Sequence, residues 1–170
     1  MTVTATDEAR AVADCADGLV VQGTEAGGHR GGIADDAGVP LAPLLADVAA
    51  AVDGPLVAAG GIATRDDVAA VLAAGAAAAA AGTAFLLAPE AGTSAPHRAA
   101  LAGDAPTALT RAFSGRTARG VRNAFLDAHD AEAAAARASG DAGAINLWAG
   151  TAYAQTRARP AADTVRALAP

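Results

Sequence analysis

Hydrophobic positions along this chain alternate between short unbroken runs and helically spaced sets. "TVT" (2–4) precedes "TDEARAVADCA" (6–16). There Thr6 is placed to cap a helix, with Asp7 and Glu8 in its first turn, at the positive end of the dipole. "GLVVQG" (18–23) is a continuous apolar run of the kind buried in a parallel sheet. Beyond a glycine-rich loop, Leu41, Leu44, Leu45, Val48 and Val52 recur at helical spacing. "GPLVAAGG" (54–61) predicts another buried strand, opened by a turn at Gly54 and Pro55. "TRDD" (64–67) has the form of a capping box, with Val68, Val71 and Leu72 on one helix face and Gly75 as the stop. The alanines that follow favour helix by propensity. The slot between Gly75 and Gly82 is strand-sized, and the alternation of elements makes it a strand.

The rhythm is β-α-β-α-β-α-β with a short helical piece after Thr83, which predicts an α/β fold on a parallel sheet with right-handed crossovers. The remainder reads differently. "TRAFSGRTARGVRNAF" (110–125) is polar and dotted with arginine, "DAHDAEAAAARAS" (127–139) is an alanine-rich helix, and "RPAADTVRALA" (159–169) is a last helix with Pro160 near its first turn. No stretch has the composition of a flexible linker.

Composition narrows the functions. A net charge of −6 over 170 residues argues against nucleic-acid and anionic-membrane partners, which want a basic face. All 12 basic residues are arginine, as a GC-rich coding bias would give. The single Cys15 cannot form an internal disulfide, which fits a cytoplasmic protein, and at the end of an amphipathic helix it is expected as a buried, inert thiol. "MTVTATDEAR" lacks the basic and apolar regions of a secretory signal. Residues 68–88 form 21 uncharged positions, but alanine dominates and Asp66, Asp67 and Glu90 flank them without an aromatic belt, so no membrane span is expected.

Candidate chemistry gathers at glycines. Gly60-Gly61 follow "LVAA", Gly82-Thr83 follow the alanine strand, and "QGTEAGGHRG" (22–31) follows "LVV". Glycine backbones at strand C-termini beside a helix start form a site for a phosphate group. In (β/α)8 barrels the phosphate site lies after the last two strands, on the face where chemistry occurs. His29, behind Gly27 and Gly28, is the natural proton carrier, against the plainer alternative of a loop histidine satisfied by a carbonyl. His97 and His129 sit among polar residues and are expected at the surface. Glu25 either bonds its loop or orients His29. Arg111, Arg116, Arg119 and Arg122 form a basic patch expected to pair with the chain's acids. Asp35 and Asp36 have no companions at metal-ligand spacing, so no metal is expected.

"QGTEAGGHRG", "PLVAAGGI", "GTAF", "GRTAR" and "LWAG" (147–150), in that order, resemble the nitronate monooxygenase family, formerly 2-nitropropane dioxygenases. The resemblance implies an FMN-dependent (β/α)8 barrel that oxidises alkyl nitronates with molecular oxygen to carbonyl compounds and nitrite. It implies His29 as the catalytic histidine near flavin and substrate. Gln22 would contact FMN, Gly27 and Gly28 would let the backbone pass close to it, and Gly60, Gly61, Ala80, Ala81, Gly82 and Thr83 would form its phosphate loops. Flavin-dependent enoyl-acyl-carrier-protein reductases have a similar barrel and glycine-histidine loop. They carry a glutamate where Gln22 stands. A non-catalytic remnant that binds a phosphate ligand or a partner is the third alternative.

A complete barrel takes about 250 residues. With about four strands, residues 1–125 are expected to be the C-terminal half of such a barrel, with residues 126–170 as a helical extension packed on it. A half barrel leaves two open edges and an uncovered face, which points to a truncated or split gene, a partner carrying the N-terminal half, or a homodimer of two halves. The alanine run also departs from the family, which carries larger residues before its "GT".

Overall fold

The computed structural model describes residues 1–32, 38–129 and 146–170. The elements in chain order are β1 (Thr2–Val3), α1 (Thr6–Val12), β2 (Leu19–Gln22), β3 (Gly28–His29), α2 (Leu41–Ala51), β4 (Leu56–Ala59) and α3 (Arg65–Ala73). Then follow β5 (Ala78–Ala80), α4 (Ala95–Leu101), β6 (Thr107–Thr110), β7 (Ala118–Val121), α5 (Ala124–His129) and α6 (Ala161–Leu168). The main sheet runs β1-β2-β4-β5, all parallel, with α1, α2 and α3 as the crossovers. This is the predicted βα rhythm, four strands wide.

Register explains which face is the core. Val3, Val21, Ala58 and Ala79 lie side by side across the sheet. They point to the helices, where Leu44, Leu45 and Val48 of α2 complete a sealed layer. The adjacent row, Thr2, Val20, Val57 and Ala78, faces the other way. Thr2 and Ala78 are exposed and the two valines only half-buried. The concave side of the sheet is therefore open, with β1 and β5 at its edges.

Local rules account for the helix ends. Thr64 and Asp67 form the expected capping box at α3, the Asp67 N–H donating to Thr64 Oγ1 at 3.2 Å and the Thr64 N–H to Asp67 Oδ2 at 2.8 Å. Gly75, at φ +99°, ends that helix. At α1 the expectation fails. Thr6 is the first helical residue and caps nothing. Instead Glu8 reaches back, accepting from the Thr4 N–H at 2.6 Å and its hydroxyl at 3.0 Å. Cys15 is exposed rather than buried, because the chain tightens into a 3-10 turn at Ala13–Cys15 that leaves Val12 and Ala16 to pack on the core.

The 21 uncharged residues at 68–88 divide among α3, β5 and a 3-10 turn at Thr83–Phe85. Among the described residues no helix is long and apolar enough to cross a membrane.

A second sheet went unpredicted. β3, β7 and β6 form an antiparallel ribbon in that order, and the arginine-dotted stretch supplies the end of β6, the loop after it and β7. Of the alanine-rich helix expected at 127–139, residues 127–129 fall in α5 and the rest lies outside the described residues. The last helix forms as expected. Its Leu168 is buried and lines a groove with Val68 and Leu72 of α3. The Ala161 N–H is held by Glu90, at 3.1 Å to Oε2.

Candidate functional site

The C-terminal ends of β2, β4 and β5 open onto one cleft of ≈ 200 Å³. Seven of the residues singled out from the sequence line it: Gln22, Gly27, Gly60, Gly61, Ala80, Gly82 and Thr83. Gly28, Ala81 and His29 do not. Ala81 lies on the opposite face, in the groove shared with α3 and α6, and Gly28 and His29 form β3 beside Gly27.

Glycine is required at the cleft for two different reasons. Gly60 and Gly61 have φ of +119° and +71°, which side-chain-bearing residues rarely adopt. Gly27 has no such twist, but a Cβ there would stand 2.4 Å from the Gly150 nitrogen and 2.5 Å from the Ala149 carbonyl carbon. The Leu147–Thr151 segment thus packs directly on the glycine loop. The Thr151 N–H donates to the Glu25 carbonyl at 3.0 Å and the Gly150 N–H to Thr83 Oγ1 at 2.9 Å. Gly150 and Ala152 also line the cleft, a contribution the sequence did not announce.

Gln22 works on the loop backbone. Its amide nitrogen donates to the His29 carbonyl at 3.1 Å and its oxygen accepts from the Gly31 N–H at 2.7 Å, so one side chain clamps β3 onto the end of β2. Glu25 bonds its loop rather than His29. Both its oxygens accept from the Leu41 N–H, at 3.2 and 2.9 Å, where the carboxylate also meets the positive end of the α2 dipole.

His29 is exposed, with Nε2 2.7 Å from Ser114 Oγ in the loop between β6 and β7. Ser114 Oγ itself lies 3.3 Å from the Arg116 carbonyl and 3.4 Å from its N–H. The His29 ring meets the edge of Trp148 with centroids 5.4 Å apart, and Trp148 in turn meets Phe113 at 5.4 Å. Neither Ser114 nor Trp148 was singled out as a partner of His29. Both lie in quoted motifs, yet at 85 residues' distance in the case of Ser114.

The four patch arginines mostly serve backbone carbonyls. Arg111 donates to Gly115, Arg116 to Arg30, and Arg119 to the Thr24 carbonyl at 2.6 Å and the Thr107 hydroxyl at 3.1 Å. Only Arg122 pairs with an acid among the described residues, Asp127 at 2.5 Å. Burial pulls the Arg119 guanidinium below its ordinary range; Glu25 pushes it back up and Arg30 lowers it further. His97 is half-buried rather than at the surface, because the Leu147–Gly150 segment comes to lie beside α4. His129 ends α5, and its side chain, like Asp35 and Asp36, lies outside the described residues. Among the described residues no three His, Cys, Asp or Glu side chains are grouped as metal ligands would be.

The nitronate monooxygenase family model matches residues 1–170. A nitronate monooxygenase of Pseudomonas aeruginosa is 41% identical over 176 residues, covering 90% of this chain and 50% of that protein. One of Paraburkholderia phytofirmans is 39% identical over 178 residues, covering 89% and 48%. A crystal structure of nitroalkane oxidase from Streptomyces ansochromogenes superposes with a TM-score of 0.92 at 46% identity, over 98% of this chain and 55% of that one. A FabK variant from Thermotoga maritima gives 0.82 at 25% identity, over 98% and 55%. This chain spans about half the length of the curated relatives it matches. With the family model matching the whole chain and two relatives at 39–41% identity, the chain belongs to the nitronate monooxygenase family.

Proposed function

We propose that this chain supplies the phosphate cradle and the catalytic histidine of an FMN-dependent enzyme that oxidises alkyl nitronates with molecular oxygen to carbonyl compounds and nitrite. The observation that carries this is the placement of His29 on β3, one residue past the glycine pair whose first member lines the cleft at the ends of β2, β4 and β5. The cleft fits one end of FMN. Glycines, alanines and Thr83 make up most of its lining, with Gln22 and Ile62 beside them, and a Cβ at Gly82 would still meet nothing within 4 Å. Its ≈ 200 Å³ is below the roughly 300–1,000 Å³ of a complete small-molecule site. A phosphate and the adjoining chain would fill it, leaving the ring system to the barrel wall outside this sequence.

Bound FMN would supply the electron acceptor that a nitronate reduces and oxygen reoxidises. The chain's own residues do the rest. Gly60, Gly61, Gly82 and Thr83 bind the phosphate, and Gln22 keeps β3 in place. Ser114 orients the His29 ring through Nε2, and the exposed ring takes a proton from the carbon beside a neutral nitro group or hydrogen-bonds the nitronate oxygens.

Two measurements test this. Ligand released by heat from the reconstituted protein should run as FMN on chromatography; FAD, or no flavin, defeats the assignment. In a complete barrel, His29→Asn should retain flavin yet slow neutral nitroalkanes more than preformed nitronates, since a positioned base is worth about 10²–10⁴-fold. Equal loss on both substrates makes His29 a binding group, and no loss removes it from the chemistry.

A further inference from the structure

Aromatic side chains are scarce in this chain: three Phe, one Trp and one Tyr in 170 residues. Its main core is filled by aliphatic side chains alone. Three of the five aromatics nevertheless gather beside one ring, that of His29. Trp148 meets His29 with centroids 5.4 Å apart. Phe113 stands edge-on to Trp148 at 5.4 Å and 89°, and Phe125 stacks on Phe113 at 5.0 Å.

The indole has a prepared seat. Gly120 of β7 pairs with Trp148 through a backbone bridge, and a Cβ at Gly120 would lie 3.2 Å from Trp148 Cε3. Glycine there makes room for the ring. Leu147 and Ala149 on either side are buried, whereas Trp148 is only half-buried and His29 is exposed. The fold thus holds the indole from one side and leaves aromatic surface open beside the imidazole. Its place along the chain ties it to the cleft. Gly27 and Gly150 both line the cleft and pack on one another, and each chain carries its ring two residues away, His29 after Gly27 and Trp148 before Gly150.

We propose that Trp148, backed by Phe113 and Phe125, is a specificity-determining residue: its open surface receives the apolar substituent on the carbon that comes to His29. The site then selects nitronates carrying a longer alkyl chain or an aryl group over the one-carbon nitronate. That the occupant is a nitronate rests on the function proposed above. Its orientation follows from the rings themselves. An anionic head group is disfavoured over the negative faces of aromatic rings and is drawn to the polar side of the site, where His29 Nε2 and Ser114 Oγ lie 2.7 Å apart. The substituent on the reacting carbon begins one bond from that head group, and the indole is the ring in contact with His29. Each methylene group that leaves water there improves binding about fourfold. The contact is the same in the bound substrate and in the transition state, so the gain appears in KM and not in kcat.

Two series of ligands test this. In the complete barrel, nitronates of primary nitroalkanes should show a KM that falls about fourfold per added methylene until the chain outruns the wall, with kcat steady. Trp148→Gln should flatten that series, and Trp148→Leu should keep most of it. A KM that does not fall with length, or a slope that survives in Trp148→Gln, overturns the proposal. The second series needs neither flavin nor turnover. Short straight-chain alkanoates, whose planar carboxylate stands in for the nitronate head, are titrated into the chain, where tryptophan emission reads Trp148 alone. Emission should move to the blue at concentrations about fourfold lower for each added methylene, and acetate should leave it in place. Emission that ignores chain length overturns the proposal even if Trp148→Gln fails to fold. A complete barrel inert toward every nitronate, with the alkanoate shift intact, removes the function proposed above and supports the apolar subsite.

Discussion

Gly27 and Gly28 are neighbours in sequence and predict opposite consequences when a methyl group is added. At Gly28, φ is +79° and a Cβ would meet nothing within 4 Å, so alanine pays only for a left-handed backbone, about 1–2 kcal/mol. At Gly27 the backbone is ordinary but the space is taken. The new carbon would lie 2.4 Å from the Gly150 nitrogen, 2.5 Å from the Ala149 carbonyl carbon and 2.9 Å from its Cα. These are backbone atoms of a segment tied down by the Thr151–Glu25 and Gly150–Thr83 hydrogen bonds, with Ala149 fully buried. Relief requires the segment to move by the order of an ångström. Overpacking costs about 1–3 kcal/mol and each strained hydrogen bond about 0.5–1.5 kcal/mol. Gly27→Ala should therefore lose about 2–4 kcal/mol, clearly more than Gly28→Ala. With a urea slope of about 2 kcal/mol/M, that moves the midpoint by roughly 1–2 M at constant slope. Because Gly150 lines the cleft, FMN affinity should fall with it. A Gly27→Ala midpoint no lower than that of Gly28→Ala would show that the Leu147–Thr151 segment does not pack on the loop as described.

Three further outcomes follow from local features. Thr64→Ala removes the α3 cap and should cost about 1 kcal/mol by urea unfolding. Asp67 is raised by its partial burial, but the hydrogen bonds from Ala63 and Thr64 outweigh this and hold its pKa below 3.8. Its contribution is thus complete above pH 3.8 and lost as pH falls through the lower folded value, so Asp67→Asn should flatten the acid limb of the stability profile. Exposed Cys15 should react with a thiol reagent in native buffer as fast as in denaturant, and a pronounced lag would return it to the core.

The parallel sheet was legible because each βα unit carries its own local signals: an apolar run, a turn, a helical repeat. Even the alanine strand yielded to its glycine boundaries. The β6–β7 ribbon was hidden by Arg119, whose charge reads as surface while its guanidinium is satisfied by the Thr24 carbonyl, 95 residues away. Gly27, Gly60 and Gly82 could be placed at one mouth because they end consecutive units. The His29–Ser114 contact and the burial of His97 could not. Both depend on where the second sheet and the Leu147–Gly150 segment come to rest, which no local pattern encodes. Cys15 failed for the opposite reason, a one-turn change of helix geometry that rotates a periodic position outward.

The open face of the main sheet sets a last expectation, and its size matters more than its sign. In the uncovered row, only Val20 and Val57 carry apolar bulk, and both are already half-buried; Thr2 and Ala78 add little. If roughly 100–200 Å² of apolar surface remained to be covered, burial at about 25 cal/mol per Å² would return about 2.5–5 kcal/mol. Association costs about 4–15 kcal/mol in lost freedom and ordering. Apolar gain alone therefore does not hold two copies together. The free edges must contribute, and β1 and β5 are two and three residues long. The isolated chain should accordingly self-associate reversibly and weakly, with a Kd in the range of about 1 μM to 1 mM, where complexes are worth about 8 to 4 kcal/mol. Sedimentation velocity over a concentration series measures this, and hydrogen exchange should show β1 and β5 less protected than β2 and β4. A nanomolar dimer, or a chain whose edge strands are as protected as its central ones while it sediments as a monomer throughout, would mean that the concave face is closed by some other contact.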